Sequence, residues 1–190
     1  METHENYLKT FFLTVALVFT IANPVEGHEK KWPGKRLERA WPTVQNFSSK
    51  QISLTPAQIS QLNTDDVKIG SEDRSPTFYF AQEKDSSSDK PKTIGIILFV
   101  DEYGANGKIE ISVAMGPDGK TKKVDIWEHT ESSLIAKDAF LKQFAGKTSK
   151  DTFIINKDYQ PIVDATKASE AVARAVEKAL KVTNIIFEKK

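Results

Sequence analysis

The strongest pattern in the chain lies between residues 109 and 128. Ile109, Ile111 and Val113 alternate with polar neighbours, Pro117-Asp118-Gly119-Lys120 reads as a turn, and Val124 and Ile126 resume the period of two. Side chains of a strand point alternately to its two faces, so this segment predicts an antiparallel hairpin. Upstream, Thr77-Phe78-Tyr79-Phe80 predicts a strand, as does Thr93 to Val100 with its apolar run Ile96-Ile97-Leu98-Phe99-Val100. The polar stretch from Lys84 to Pro91 joins them as a flexible loop.

Downstream the period lengthens. Leu134, Phe140, Leu141 and Phe144 form the apolar side of a helix predicted from Ser133 to Ala145, with Gly146 as its stop. Ala165, Ala168, Val172, Ala175, Val176, Ala179 and Leu180 share one face of a second helix over 166–182. Between them Phe153-Ile154-Ile155 predicts a short strand, and the tail Ile185-Ile186-Phe187 is expected to pair or pack. Near the start, Thr55-Pro56 opens a short helix with a threonine cap and proline at its first position. Residues 28–50 show no period and read as an irregular arm. Trp32 and Trp41, each followed by proline, plug the core edge or else dock on an anionic partner or lipid headgroups. Strands first and helices late, with tight turns, predict an α+β fold: a mostly antiparallel sheet with two C-terminal helices packed on one face of it.

The N-terminus changes the picture. Lys9 precedes an apolar run from Phe11 to Ala22, and Val25 and Gly27 stand at the small-residue positions before His28. A run of this length is too short for a membrane helix of roughly 20 residues, but suits a secretory signal. The expected division is a signal peptide at 1–27, the arm, short helix and first strand at 28–92, and an α+β domain at 93–190. The mature protein is then extracytoplasmic, periplasmic or secreted; retention of the leader as an anchor is the alternative.

Composition removes several chemistries. The 190 residues contain no cysteine, so disulfides, thiolate-ligated zinc, iron–sulfur clusters and thioether-linked haem are excluded. The net charge of +1 does not fit a nucleic-acid-binding surface. Beyond the leader only His28 and His129 occur, and no serine sits in a nucleophile-elbow context. Asp101-Glu102 lacks the spacing of a calcium loop. What remains is a pair of helix starts rich in hydroxyls, Thr130-Glu131-Ser132-Ser133 and Asp164-Ala165-Thr166-Lys167-Ala168-Ser169. Free N–H groups and the positive dipole end let such a start hold a phosphate, although simple capping needs only one of those hydroxyls.

Taken in order, Gly107-Lys108-Ile109, Gly119-Lys120, Val124 to Ser132, Gln143-Phe144-Ala145-Gly146-Lys147, Val163-Asp164-Ala165 and the alanine-rich last helix resemble the FMN-binding domain family over residues 94–182. That family includes flavin-carrying subunits of sodium-pumping NADH:quinone oxidoreductase and Rnf complexes. The resemblance implies FMN as cofactor and electron transfer with a soluble redox partner or a membrane electron-transport complex, the membrane being reached only through the signal or the partner. It places the phosphate at Thr166, Lys167 and Ser169, with His129, Glu131 and Ser132 lining the opposite loop; the ring also needs an apolar wall, and Trp127 is either that wall or a core residue. The family's Glu-Thr-Pro-Gly stands here as Glu131-Ser132-Ser133-Leu134. Its Ser-Gly-Ala-Thr attachment segment is shortened, so that Asp164-Ala165 runs almost directly into Thr166 without the glycine that lets backbone approach phosphate. Non-covalent FMN is therefore expected. A module of the same shape that has lost flavin, or a reductase using flavin as cofactor, are the other readings.

Overall fold

The computed structural model describes residues 32–64, 67–85 and 90–187. Its centre is a five-stranded antiparallel meander, β1 (Asn46–Gln51), β2 (Thr77–Lys84), β3 (Pro91–Tyr103), β4 (Lys108–Met115) and β5 (Thr121–Glu128), ordered as in the chain. The hairpin expected over 109–128 is β4 and β5, in register through Val113 opposite Val124. The sheet carries a short helix α1 (Gly34–Ala40) on one face; on the other lies a long helix α4 (Thr166–Phe187). Between strands, α2 (Pro56–Leu62) opens on a complete capping box of Thr55 and Gln58, as its sequence demands.

Alternation decides which side chains meet which helix. Ile96, Leu98 and Val100 of β3, with Ile109, Ile111 and Val113 of β4, point toward α4 and form the main core. Small residues let the helix sit close: Ala168, Ala171, Ala175 and Ala179 are all buried there. On the reverse face Tyr79, Ile97 and Ala114 pack against Leu37 and Ala40 of α1, and Trp41, Phe47 and Phe99 close the edge. β3 is thus buried on both faces, which its unbroken apolar run requires.

Several expectations are corrected. The described part of the arm expected over 28–50, residues 32–50, is not irregular: it forms α1 and the edge strand β1. Both elements are too short to show a period, and β1 carries only Phe47 as an apolar contact. The helix α1, which was not expected, covers the face of the sheet opposite α4. The helix expected over 133–145 is broken into a 3-10 turn (Ser133–Ala136), the single-turn α3 (Asp138–Leu141) and a second 3-10 turn (Lys142–Phe144). The break falls at Lys137, whose extended backbone (ψ 141°) resets the direction of the chain. Phe153-Ile154-Ile155 is not a strand but a turn with a single bridge from Ile155 to Tyr159. Asp158 takes the Ile154 amide (2.8 Å), and Asn156 adopts a left-handed φ of 62°. The tail 185–187 continues α4, and Phe187 lies edge-on to Phe78 and Phe80. The expected leader and the middle of the 84–91 loop fall outside the described residues.

One buried cation fixes α4 against the sheet. The Lys178 side chain is 7% exposed, and its ammonium meets Glu102 at 2.6 Å and Asp73 at 3.0 Å. Arg174, one turn earlier, reaches Glu102 at 3.5 Å and donates to the carbonyl of Tyr103 at 3.2 Å. Burial pulls the Lys178 pKa down, but the hydrogen bonds and charges of Glu102 and Asp73 outweigh it, and the net shift is above the ordinary 10.5. The folded chain holds this proton more tightly than the unfolded chain does. Its contribution is full below pH 10.5 and is lost as pH rises through the higher folded value. Replacing Lys178 with methionine leaves Asp73 without its cation and is expected to cost about 3 kcal/mol in urea unfolding at neutral pH. The gap between wild type and K178M should narrow above pH 10.5. A gap that stayed constant into alkali would contradict this role.

Candidate functional site

The end of the sheet where β3, β4 and β5 converge gathers the candidate residues. β3 ends at Tyr103 and β4 begins at Lys108, its pairing partner, while Glu128 at the end of β5 pairs with Glu110. The chain leaves β5 as His129-Thr130-Glu131-Ser132, directly beside the 104–107 turn. That turn is clasped from both sides. Glu131 accepts from the backbone N–H of Asn106 at 2.6 Å and from its side-chain amide at 3.0 Å. Thr130 donates its hydroxyl to the Asn106 carbonyl at 2.8 Å. A Cβ at Gly104 would overlap the Glu131 carboxylate, so a side chain there would push Glu131 away from Asn106. Lys108, first in β4, donates to Asp101 at 2.9 Å, and this bond raises its pKa.

His129 lies at the junction and is half-buried; its Nδ1 is enclosed yet has no hydrogen-bond partner among the described residues. A buried polar atom left unpaired carries a free-energy cost that an incoming donor or acceptor would relieve. Ser132 accepts from the Leu134 amide at 3.4 Å and so caps the turn over 133–136. That turn packs on α4 and buries Ile135 completely.

The second group sits at the start of α4. Thr166 and Lys167 are exposed in its first turn. The first α-helical bond there is made by Ser169 N–H to the Ala165 carbonyl (2.9 Å), so the N–H groups of Thr166, Lys167 and Ala168 precede the ladder. Ser169 is different. It is fully buried, donates to Ala165 O at 3.0 Å and accepts from Ile162 N–H at 3.0 Å. Both its capacities serve the fold. Asp164, just ahead, holds a left-handed φ of 64°, a conformation that aspartate tolerates better than most residues. The two groups meet through α4. Arg174 reaches the end of β3, and the turn following Ser132 packs on the helix, so 129–132 and the N-terminal half of α4 share one end of the sheet.

Trp127 is separated from them. It lies on the α1 face, with the guanidinium carbons of Arg39 and Arg36 at 4.7 and 5.3 Å from its ring centre. Its indole N–H donates to buried Ser112 at 3.0 Å. Arg39 also pairs with buried Asp125 (2.9 Å), Lys123 pairs with the other carboxylate oxygen (3.0 Å), and Arg36 pairs with Glu110. This ring is a post for α1 rather than a wall beside α4, because period two turns it away from Ile126, which faces that helix. Exposed apolar side chains at the candidate end were missed in the sequence: Tyr103 at the end of β3, Leu134 after Ser132 and Val163 before Asp164. Exposure is a property of packing, and no local signal in the sequence announces it.

The Gln143–Lys147 segment has a structural role. The Gln143 amide imitates a strand partner, donating to Gln160 O (3.1 Å) and accepting from Gln160 N–H (2.8 Å). Phe144 is fully buried against Phe140 and Tyr159. Burial pushes the Tyr159 phenol up to about 12, with Glu170 adding to the shift. The segment thereby ties the chain ahead of α4 to the core.

The model of the FMN-binding domain family matches residues 104–181, from the clasped turn to the second half of α4. This segment resembles an FMN-binding domain. FMN is the cofactor that the match assigns. A subunit of the proton-translocating ferredoxin:NAD(+) oxidoreductase complex of Clostridium ljungdahlii is 28% identical over 142 residues, covering 70% of this chain and 74% of that protein. The crystal structure of Shewanella oneidensis NqrC shares the fold, with a TM-score of 0.51, 16% identity, and coverage of 75% of this chain and 89% of that one. The residues present fit a flavin phosphate and ring edge: an exposed helix start with a hydroxyl and an ammonium, and a histidine nitrogen without a partner.

Truncating Glu131 to alanine should release the 104–107 turn from the FMN-binding domain's end loop. The two bonds are exposed, so the local cost is about 1 kcal/mol, and exchange of the Asn106 amide should rise roughly fivefold with little change in global unfolding. Unaltered exchange at Asn106 would show that the turn is held by something else.

Proposed function

We propose that this protein is an exported flavoprotein that passes electrons between FMN and a redox partner, either a membrane electron-transport complex or a soluble protein. The observation that carries the reading is the convergence, within the matched segment, of the His129–Ser132 loop and the start of α4 at one end of the sheet. Bound there, FMN would supply reversible uptake of one or two electrons. The chain's own residues bind and orient it. Thr166, Lys167 and the first N–H groups of α4 hold the phosphate, and Lys167 offsets its charge. His129 stands on the loop that borders the ring, its enclosed Nδ1 reachable only if that loop shifts, and Tyr103, Leu134 and Val163 offer apolar surface. Ser169 contributes by setting the start of the helix rather than by contact, since both its bonds are internal. The Glu131 carboxylate is already spent on Asn106, so its contribution is to fix the loop that presents Ser132 and His129. The relative from Clostridium ljungdahlii is named as part of an oxidoreductase complex, which supports a partner protein over a freely diffusing substrate.

The shortened segment before α4 supports non-covalent attachment. Acid precipitation of the purified protein should release FMN into the supernatant, whereas a phosphoester-linked flavin would stay in the pellet. Replacing Thr166 and Lys167 together with alanine should weaken FMN binding by about 1.5–3 kcal/mol for each charge-assisted hydrogen bond lost. Ser169→Ala should lower stability before it lowers affinity. A protein that takes up no flavin at all would favour a scaffold of the same shape.

Export is the second part of the proposal, supported by Lys9, the Phe11–Ala22 run and the small residues Val25 and Gly27. N-terminal sequencing of protein recovered outside the cytoplasm should begin at or close to His28. A cytosolic protein that retains Met1 would overturn it.

A further inference from the structure

β3 is longer than its neighbour on one side. Of its thirteen residues, Ile96 to Tyr103 pair with β4, Tyr103 opposite Lys108, but its pairing with β2 stops at Leu98 opposite Phe78. The chain ahead of β2 follows β1 instead: Ile52 N–H bonds to Pro76 O at 3.0 Å, and Leu54 N–H to Arg74 O at 2.8 Å. The sheet therefore splits, and the split opens a cleft of about 870 Å3. Ser75 and Thr77 form one bank, Phe99 and Val100 the other. Trp32 closes the α1 face and Lys178 the α4 face.

Backbone groups along an antiparallel strand point alternately to its two neighbours. The bonds that Pro76 and Arg74 accept from Ile52 and Leu54, just after β1, set the phase: Tyr79 turns toward β3, and its partner Ile97 toward β2. On the same count Val100 and Glu102 face β4, whereas Asp101 and Tyr103 face the gap. Arg174 already satisfies the Tyr103 carbonyl. Among the described residues, no backbone bond is made to the N–H and C=O of Asp101 or the N–H of Tyr103 across the gap. A row of such groups at strand spacing is a template for another strand.

The geometry points to a docking edge at Phe99–Tyr103 for an extended segment of a partner polypeptide, which adds to β3 by backbone pairing. The charges suit a segment with basic side chains. Arg36 is taken by Glu110, and Lys178 and Arg174 by Asp73 and Glu102. Among the described residues lining the cleft, Glu38 and Glu72 remain against Lys35 alone. Apolar side chains on alternate positions would meet Val100 and Val182 on the α4 side or Trp32, half-exposed, on the α1 side. The edge shares only Tyr103 with the surface offered to flavin, through its backbone rather than its ring, and Asp101 reports on the edge alone, so the two readings fail separately.

Amide exchange of the full chain, read by NMR, tests it with a blocked peptide acetyl-Val-Lys-Val-Lys-Val-amide. In the free protein Asp101 and Tyr103 should exchange about tenfold faster than Val100 and Glu102, and saturating peptide should slow them about tenfold. The same peptide N-methylated at alternate amides keeps its side chains but cannot pair, and should not protect. No protection by the first peptide, or equal protection by both, overturns the proposal. So does slow exchange at Asp101 and Tyr103 in the free chain that becomes fast in a chain starting at Trp32, because the protein's own N-terminal residues would then hold the edge.

Discussion

The placement of the long helix depends on one buried lysine. A helix packed through alanines has few interlocking side chains to prevent it from sliding or rolling on a sheet, because methyl groups make shallow ridges. Lys178 supplies the missing constraint by meeting carboxylates from two different elements, β3 and the turn at Glu72–Arg74. An ion pair in this setting contributes more to uniqueness of position than to net stability, since desolvating the charges offsets much of their attraction. With Arg174 fixed one turn earlier, the helix start is carried to the end of the sheet where the His129–Ser132 loop emerges. The candidate cofactor end is thus assembled by contacts that lie well away from it.

The segment matched by the FMN-binding domain is not a fold by itself. It contains β4, β5 and most of α4, yet the partner of β4 and the main seat of α4 is β3, whose residues 91–103 precede it. A two-stranded hairpin under one helix leaves an open hydrophobic edge, and further strands are needed to bury it. β3 in turn exposes its reverse face unless α1 covers it. The N-terminal region is therefore part of the same cooperative unit, joined through the Trp127, Arg36 and Arg39 contacts as well as through the sheet.

The parts of this architecture that can be read in the sequence are those with a strong period. Ile109 to Ile126 alternate cleanly, so the hairpin is visible there; the alanine face of the last helix repeats over about four turns, so only its end is misplaced. Residues 133–144 satisfy a helical pattern of apolar positions, but nothing local reveals that Lys137 takes an extended backbone to carry Phe140 and Phe144 into the core. α1 and β1 have too few apolar positions to register at all, because their partners come from distant strands. The candidate site is legible as chemistry and less so as geometry. Thr166 and Lys167 stand exposed at a helix start, as capping rules allow, whereas the internal bonds of Ser169 and the stacking of arginines on Trp127 arise from tertiary packing alone.

Gly95 of β3 lies directly beneath the Trp41 ring, and a Cβ there would overlap the indole and come within 2.9 Å of the Met115 carbonyl. The indole fills the space that a side chain at 95 would otherwise occupy on the reverse face. The two positions therefore share one volume and must change together in evolution. A related chain with a bulky residue at the first site needs a small one at the second, and the loop after α1 must then find another anchor. Covariation between two residues more than fifty apart in sequence would thus trace the seam where the N-terminal strap is sewn to the sheet.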